Sequence, residues 1–218
     1  MKSTRSTFYN TLILISFICS SLKGFSQVWE EGKYAVSAGY GIPNFGKVYL
    51  PSIITSTYTK NSTNVPLGII ATGTGPMHLK GEYGITHKFG LGLSINYQNY
   101  GATWAVAYSN YNNGNYVTNY YHYAIKANAM AFLLRFNRHF EAGEKIDLYW
   151  GAGFGYNLLI VSGSSDDPGS HPVTVTSPIP IAFETTFGMR YYFSQNIGAY
   201  IEGGYAKDIL QAGISVKF

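Results

Sequence analysis

Ile179-Pro-Ile-Ala-Phe-Glu-Thr-Thr-Phe-Gly-Met-Arg-Tyr-Tyr-Phe193 is the stretch that decides the fold. Ile179, Ile181, Phe183, Phe187, Met189, Tyr191 and Phe193 share one parity, and Glu184, Thr186, Gly188 and Arg190 share the other. A hydrophobic period of two predicts a β-strand over 178–193. One face is bulky and aromatic, while the other sets charges among residues too small to cover them. In a soluble barrel the apolar face turns inward. In a transmembrane barrel lipid meets the apolar face and the interior is polar.

The same alternation extends in both directions. Tyr34, Val36, Ala38 and Tyr40 mark a strand over 33–41, and 76–88 sets Met77, Leu79, Tyr83 and Ile85 against His78, Lys80 and Glu82. Further strands are predicted over 89–99, 120–137, 146–158, 196–206 and 209–218, which makes eight. In 120–137 the apolar face is read as Tyr121, Tyr123, Ile125, Ala127, Ala129 and Leu133, against His122, Lys126 and Asn128. Lys80, Glu82, Lys126, Glu184, Arg190, Glu202 and Lys217 then all oppose the large apolar residues. Arg135 breaks the rule and is expected to snorkel from the outer face near a strand end.

Connections after strands 2, 4 and 6 are short (87–88, 137–145, 194–195), and those after strands 1, 3 and 5 are long and polar (42–75, 100–119, 161–177). Short periplasmic turns alternating with long external loops are expected of an outer-membrane barrel, with both termini periplasmic. Tyr40, Tyr97, Tyr123, Tyr156 and Tyr205 are expected in an outer aromatic girdle, and Phe89, Phe193 and Phe218 in an inner one.

Composition excludes the competing classes. Only 12% of the 218 residues are charged, about half the share usual in soluble domains. An aromatic content of 17% is incompatible with disorder. A single long apolar run excludes a helical membrane bundle. That run, Thr11 to Ser20, follows Lys2 and Arg5 and precedes Gly24-Phe25-Ser26, the three-part order of a secretory signal peptide. Residues 1–26 are therefore expected to be removed ahead of Gln27, leaving 27–218 as the barrel domain. The run is short for a membrane anchor, and Phe17-Ile18 before Cys19 is too bulky for a lipoprotein cut. The net charge of +4 falls to about +1 without the leader's three cations, so nucleic acid is not expected as a partner. Cys19 is the chain's one cysteine, so the mature barrel has no disulfide and no Cys-based metal site.

With its export leader, its Gly-aromatic alternation (Leu91-Gly92-Leu93; Trp150-Gly-Ala-Gly-Phe-Gly-Tyr156) and its C-terminal Ile214-Ser-Val-Lys-Phe218, the chain resembles the small eight-stranded outer-membrane β-barrels of the OmpA/OmpX type. The resemblance implies an all-β, antiparallel, up-and-down transmembrane barrel. It also implies that Phe218 belongs to the signal read by the outer-membrane barrel assembly machinery, a partner during biogenesis alongside outer-membrane lipids. Cell-wall tethering by a domain after the barrel is not carried over.

An eight-stranded barrel is just wide enough for its own side chains. His78, Lys80, Glu82, Lys126, Glu184, Arg190 and Glu202 are therefore expected to form a polar network filling the interior. Glu82, Arg190 and Glu202 are expected at one height, and His78, Lys80, Lys126 and Glu184 nearer the loops. Two other uses stay open: a gated ion or small-solute path through switching pairs, and a lipid-modifying enzyme. The histidines are poorly placed for catalysis, with His78 and His122 expected inward, His87 and His139 in periplasmic turns, and His171 in a loop. No cofactor or metal is expected, since His78 and Glu82 sit ~13 Å apart along a strand and Asp166-Asp167-Pro168-Gly169 reads first as a turn. Tyr108-Ser-Asn-Tyr-Asn-Asn-Gly-Asn-Tyr116 has the Tyr, Asn, Ser and Gly content of binding loops. Tyr108, Tyr111 and Tyr116 are thus candidate contacts for an extracellular ligand of unknown identity, in a structural or adhesin-like role. Ile53-Ile54 and Leu67 to Ala71 are expected to prolong the strands flanking the first loop.

Overall fold

A computed structural model describes residues 28–61, 65–112, 115–177 and 180–218. The expected signal peptide 1–26, its cut at Gln27, and Ile179 lie outside the described residues. Among the described residues, nine strands and one helix follow in the order β1 (Tyr34–Ile42), α1 (Phe45–Asn61), β2 (Pro66–Gly84), β3 (Phe89–Asn112), β4 (Asn115–Glu141), β5 (Ile146–Ser165), β6 (Val173–Thr176), β7 (Ile181–Tyr192), β8 (Ile197–Tyr205) and β9 (Leu210–Lys217).

Eight strands close into an antiparallel ring, β1-β2-β3-β4-β5-β7-β8-β9 and back to β1. The closing ladder pairs Ala35 with Lys217 through Ile42 with Leu210, so the ring has no free edge at that seam. Leu93, Phe154 and Ile214 are about 60% exposed on its outside, while Glu184, Arg190, Glu202 and Ser215 are buried within. An apolar belt around a charged interior is unstable in water and stable in a bilayer. The chain is an eight-stranded transmembrane β-barrel.

Strand lengths divide the molecule by height. A membrane-crossing strand needs ~9–11 residues, close to the 9, 9 and 8 residues of β1, β8 and β9. With 24 residues, β3 is about 80 Å long at the usual rise. The outer halves of β2 to β5 therefore stand above the membrane as an open sheet, widened by β6 on β5. The expected loop 100–119 is instead a continuous hairpin, paired from Phe89–Arg138 to Asn112–Asn115. Leu67 to Ala71 do extend β2, but Ile53-Ile54 belong to α1. Asn44 fixes that helix: its Oδ1 accepts the Lys47 N–H at 3.0 Å as a helix cap, and its Nδ2 donates to the Asn99 carbonyl of β3 at 2.9 Å. Leu50 and Ile54 bury against Ala102, with Trp104 and Ile125 packed around them, on the inner face of the projecting sheet.

The parity assigned to β4 is corrected. Ala127, Ala129, Ala131 and Leu133 face inward, and Phe132, Leu134 and Phe136 face out. Small alanines share the inner face with glycines elsewhere in the ring, so counting them as lipid-facing reverses the strand. Lys126 is consequently exposed on the outer face, not part of the interior network. Arg135 is 2% exposed inside, not snorkelling from the outside. His122 points outward, and Tyr123 leaves the outer girdle to stack on Trp104 at 5.7 Å. Above the membrane, water lies outside, and polar outward residues such as Lys126 and His122 follow the soluble rule.

Candidate functional site

Two places hold the chain's polar chemistry: the lumen and the projecting sheet. In the lumen, small residues make room for long ones from the neighbouring strands. A methyl group at Gly188 would collide with Tyr149 and Glu202, and one at Gly151 with Arg135.

The luminal side chains form a column of three linked tiers. At the periplasmic end Arg190 donates to Glu82 at 2.6 Å and to Asp147 at 3.0 Å. His139 bridges the same two carboxylates at 2.8 and 2.6 Å. Trp29 lies flat on His139, ring centroids 4.2 Å apart, and is 1% exposed. In the middle tier Lys80 binds Glu202 at 2.6 Å and Gln211 at 2.9 Å. Arg135 donates to Glu184, Thr186 and Asn137, each at 2.8 Å, and Tyr149 donates to Glu202 at 2.6 Å. At the outer end Asn96 donates to Glu184 at 3.0 Å and meets His78 at 2.8 Å, whose Nε2 lies 2.6 Å from Asp208.

Of the residues named from sequence, His78, Lys80, Glu82, Glu184, Arg190 and Glu202 meet in this column, and Lys126 does not. The expected tier of Glu82, Arg190 and Glu202 divides, since Glu202 belongs with Lys80 and Arg135. Arg135, His139, Asp147, Asp208 and Trp29 were missed. Asp147 shares parity with the inward residues of β5, a signal the sequence carried, whereas Asp208 lies in the β8–β9 turn, where parity gives no reading. His139, expected in a turn, lies on β4, which runs on to Glu141. Among the described residues no three His, Cys, Asp or Glu side chains are grouped to hold a metal ion.

The projecting sheet carries the aromatic hairpin. Tyr111 and Tyr116 face each other near its tip at 5.1 Å between centroids, 67% and 78% exposed. Tyr108 sits lower and half-buried, its ring 5.7 Å from Tyr121. Neighbouring polar contacts stiffen the sheet: Asp166 accepts both the backbone N–H of His122 at 2.6 Å and a contact from its ring Nδ1 at 2.9 Å. Those hydrogen bonds hold the Asp166 carboxyl below its ordinary range.

No protein-family model matches the chain, and no curated protein matches it. Solved structures similar to it include the N-terminal β-barrel domain of Pseudomonas aeruginosa OprF (12% identity, 87% of this chain and 99% of that one, TM-score 0.40). Ail, the attachment invasion locus protein of Yersinia pestis, is similar at 12% identity over 86% of this chain and 99% of that one, TM-score 0.38. The outer membrane protein OprG of P. aeruginosa is similar at 12% identity over 87% and 97%, TM-score 0.40.

Proposed function

We propose that this barrel is a closed anchor that displays a rigid recognition surface outside the cell. The observation that supports it is the unbroken β3–β4 ladder, which carries Tyr108, Tyr111 and Tyr116 far beyond the membrane on paired strands. Tyrosine presents large amphipathic area at small entropic cost, and a ladder that pre-organises it lowers the ordering cost of binding. The column below supports the closed reading, because an ion path requires separating buried pairs at about 3–5 kcal/mol for each stranded charge.

The test is a binding screen of the folded barrel on arrays of host-surface glycans and matrix proteins, repeated after removal of residues 107–120. Binding by the whole chain that disappears in the shortened barrel, with its fold retained, is the expected result. Binding that survives the shortening, or steady conductance in planar bilayers without binding, contradicts the proposal.

A further inference from the structure

β7 and β8 separate at the outer end of the wall. Their pairing stops at Thr185–Tyr205, whereas β7 begins at Ile181 and pairs β5 from there. Along Ile181–Glu184 the β8-side edge of β7 thus has no strand beside it, and the β8–β9 turn lies there instead. A cavity of about 270 Å³ occupies this place. Its lining comes from both faces of the wall, with Asn157 and Glu184 from the lumen and Ile181, Phe183 and Tyr205 from the outside. A cavity lined from both faces is a window.

Lys207, in the turn, also lines it, and its Nζ donates to Asn157 Oδ1 at 2.8 Å. Every cation of the luminal column has a carboxylate within 3 Å: Lys80 has Glu202 at 2.6 Å, Arg135 has Glu184 at 2.8 Å and Arg190 has Glu82 at 2.6 Å. All 11 acidic residues of the chain are described, and none forms an ion pair with Lys207. Glu184, the window's own carboxylate, is occupied by Arg135 and Asn96. A half-buried ammonium with one neutral acceptor keeps two donors and an uncompensated charge. Such a group calls for an anion.

The height of the window identifies the source. β8 ends at Tyr205 after nine residues, about the length that crosses the hydrocarbon, so the opening lies at the outer headgroup level. An unpaired strand edge is tolerable there and not in the hydrocarbon. We infer that the window seats the phosphate of an anionic outer-leaflet lipid entering sideways, with Lys207 supplying the charge and Ile181, Phe183 and Tyr205 flanking the first apolar carbons. The volume lies just under the ~300–1,000 Å³ of complete small-molecule sites, which suits a headgroup and not a whole lipid. This rests on the lipid-facing wall and is independent of the recognition role of the hairpin.

The test is native mass spectrometry of the folded, full barrel titrated with phosphatidylglycerol, zwitterionic phosphatidylcholine or inorganic phosphate. Phosphatidylglycerol is expected to bind about tenfold more tightly than either of the others, the scale of one half-buried charge contact. Lys207→Met should reduce it to the phosphatidylcholine level, Lys207→Arg should retain the preference, and Lys126→Met, removing an exposed outer-face cation, should change nothing. Heat-modifiable migration reports the fold of each variant, and Lys207→Gln, which can keep the contact with Asn157, replaces Lys207→Met if the latter does not fold. Absence of a phosphatidylglycerol preference in the unaltered barrel overturns the inference. So does its persistence without the lysine, an equal loss in Lys126→Met, or equally tight binding of inorganic phosphate.

Discussion

Arg135 of β4 and Glu184 of β7 meet over Gly153 of β5, the residue that both pair with, Nη1 to Oε1 at 2.8 Å, although β5 separates their strands around the ring. Burial makes each a liability without the other. Glu184→Leu leaves Arg135 with Glu202, at 3.1 Å, as its one carboxylate partner among the described residues, and is expected to cost about 3 kcal/mol. Adding Arg135→Met should return about 1 kcal/mol or more relative to the sum of the singles, whereas Lys126→Met should add independently within about 0.5 kcal/mol. Urea-dependent folding into vesicles measures all of these. Coupling to Lys126 in place of Arg135 contradicts the assignment.

Trp29 closes the periplasmic end by stacking on His139 and lying beside Arg190. Trp29→Ala should destabilise the barrel by about 3–5 kcal/mol, the range for removing a buried aromatic. It should also speed hydrogen exchange in the His139 backbone. Trp29→Phe should recover much of the loss, and an unchanged urea midpoint in Trp29→Ala rejects the plug.

Phe218 faces outward, 62% exposed, and its backbone exchanges hydrogen bonds with Tyr34 at 2.8 and 3.2 Å. Phe218→Asp keeps that backbone ladder and places a charge at the inner membrane interface. Assembled, heat-modifiable barrel in cells should fall several-fold while synthesis is unchanged, and in-vitro folding into thin bilayers should fall less. An equal loss in both settings points to stability alone, without an assembly signal.

The tie between Asp166 and His122 should respond to acid. Asp166 is held below its unfolded value, so its contribution is present above the ordinary carboxylate range and is lost as pH falls through the lower folded value. The ¹⁵N shift of the His122 amide, which donates to Asp166 Oδ1 at 2.6 Å, should therefore show a step below the ordinary carboxylate range. Asp166→Asn should abolish that step.

Parity made the membrane-level barrel legible, because bulky residues alternate with charged or tiny ones on seven of the eight ring strands. β4 misled because Ala127, Ala129 and Ala131 are apolar yet small enough for a filled lumen, so size and not polarity sets their side. α1 escaped because Pro51 and a run of β-branched residues (Ile53, Ile54, Thr55, Thr57) argue against a helix. Tertiary packing of Leu50 and Ile54, with the cap from Asn44, outweighs that preference. The projecting hairpin was hidden for a related reason: Tyr, Asn and Ser continue the strand where the surroundings change from lipid to water, and no apolar stripe records it. Ion pairs such as Arg135–Glu184 depend on strand stagger around the closed ring, which no single strand encodes.

Which face meets lipid decides whether this is a transmembrane barrel. The chain's one cysteine is Cys19, so residues 27–218 offer a cysteine-free background for single substitutions. Two adjacent pairs decide it: Leu93 with Ser94, and Ile214 with Ser215, whose serines are 1% and 0% exposed and whose apolar partners are 64% and 59% exposed. Each is replaced singly by cysteine, folded into vesicles and offered a thiol reagent dissolved in the bilayer and another confined to water. Leu93→Cys and Ile214→Cys should react with the bilayer reagent while Ser94→Cys and Ser215→Cys resist both. Protection at positions 93 and 214 with modification of 94 and 215 by the aqueous reagent would contradict it, and the apolar face would then be the interior.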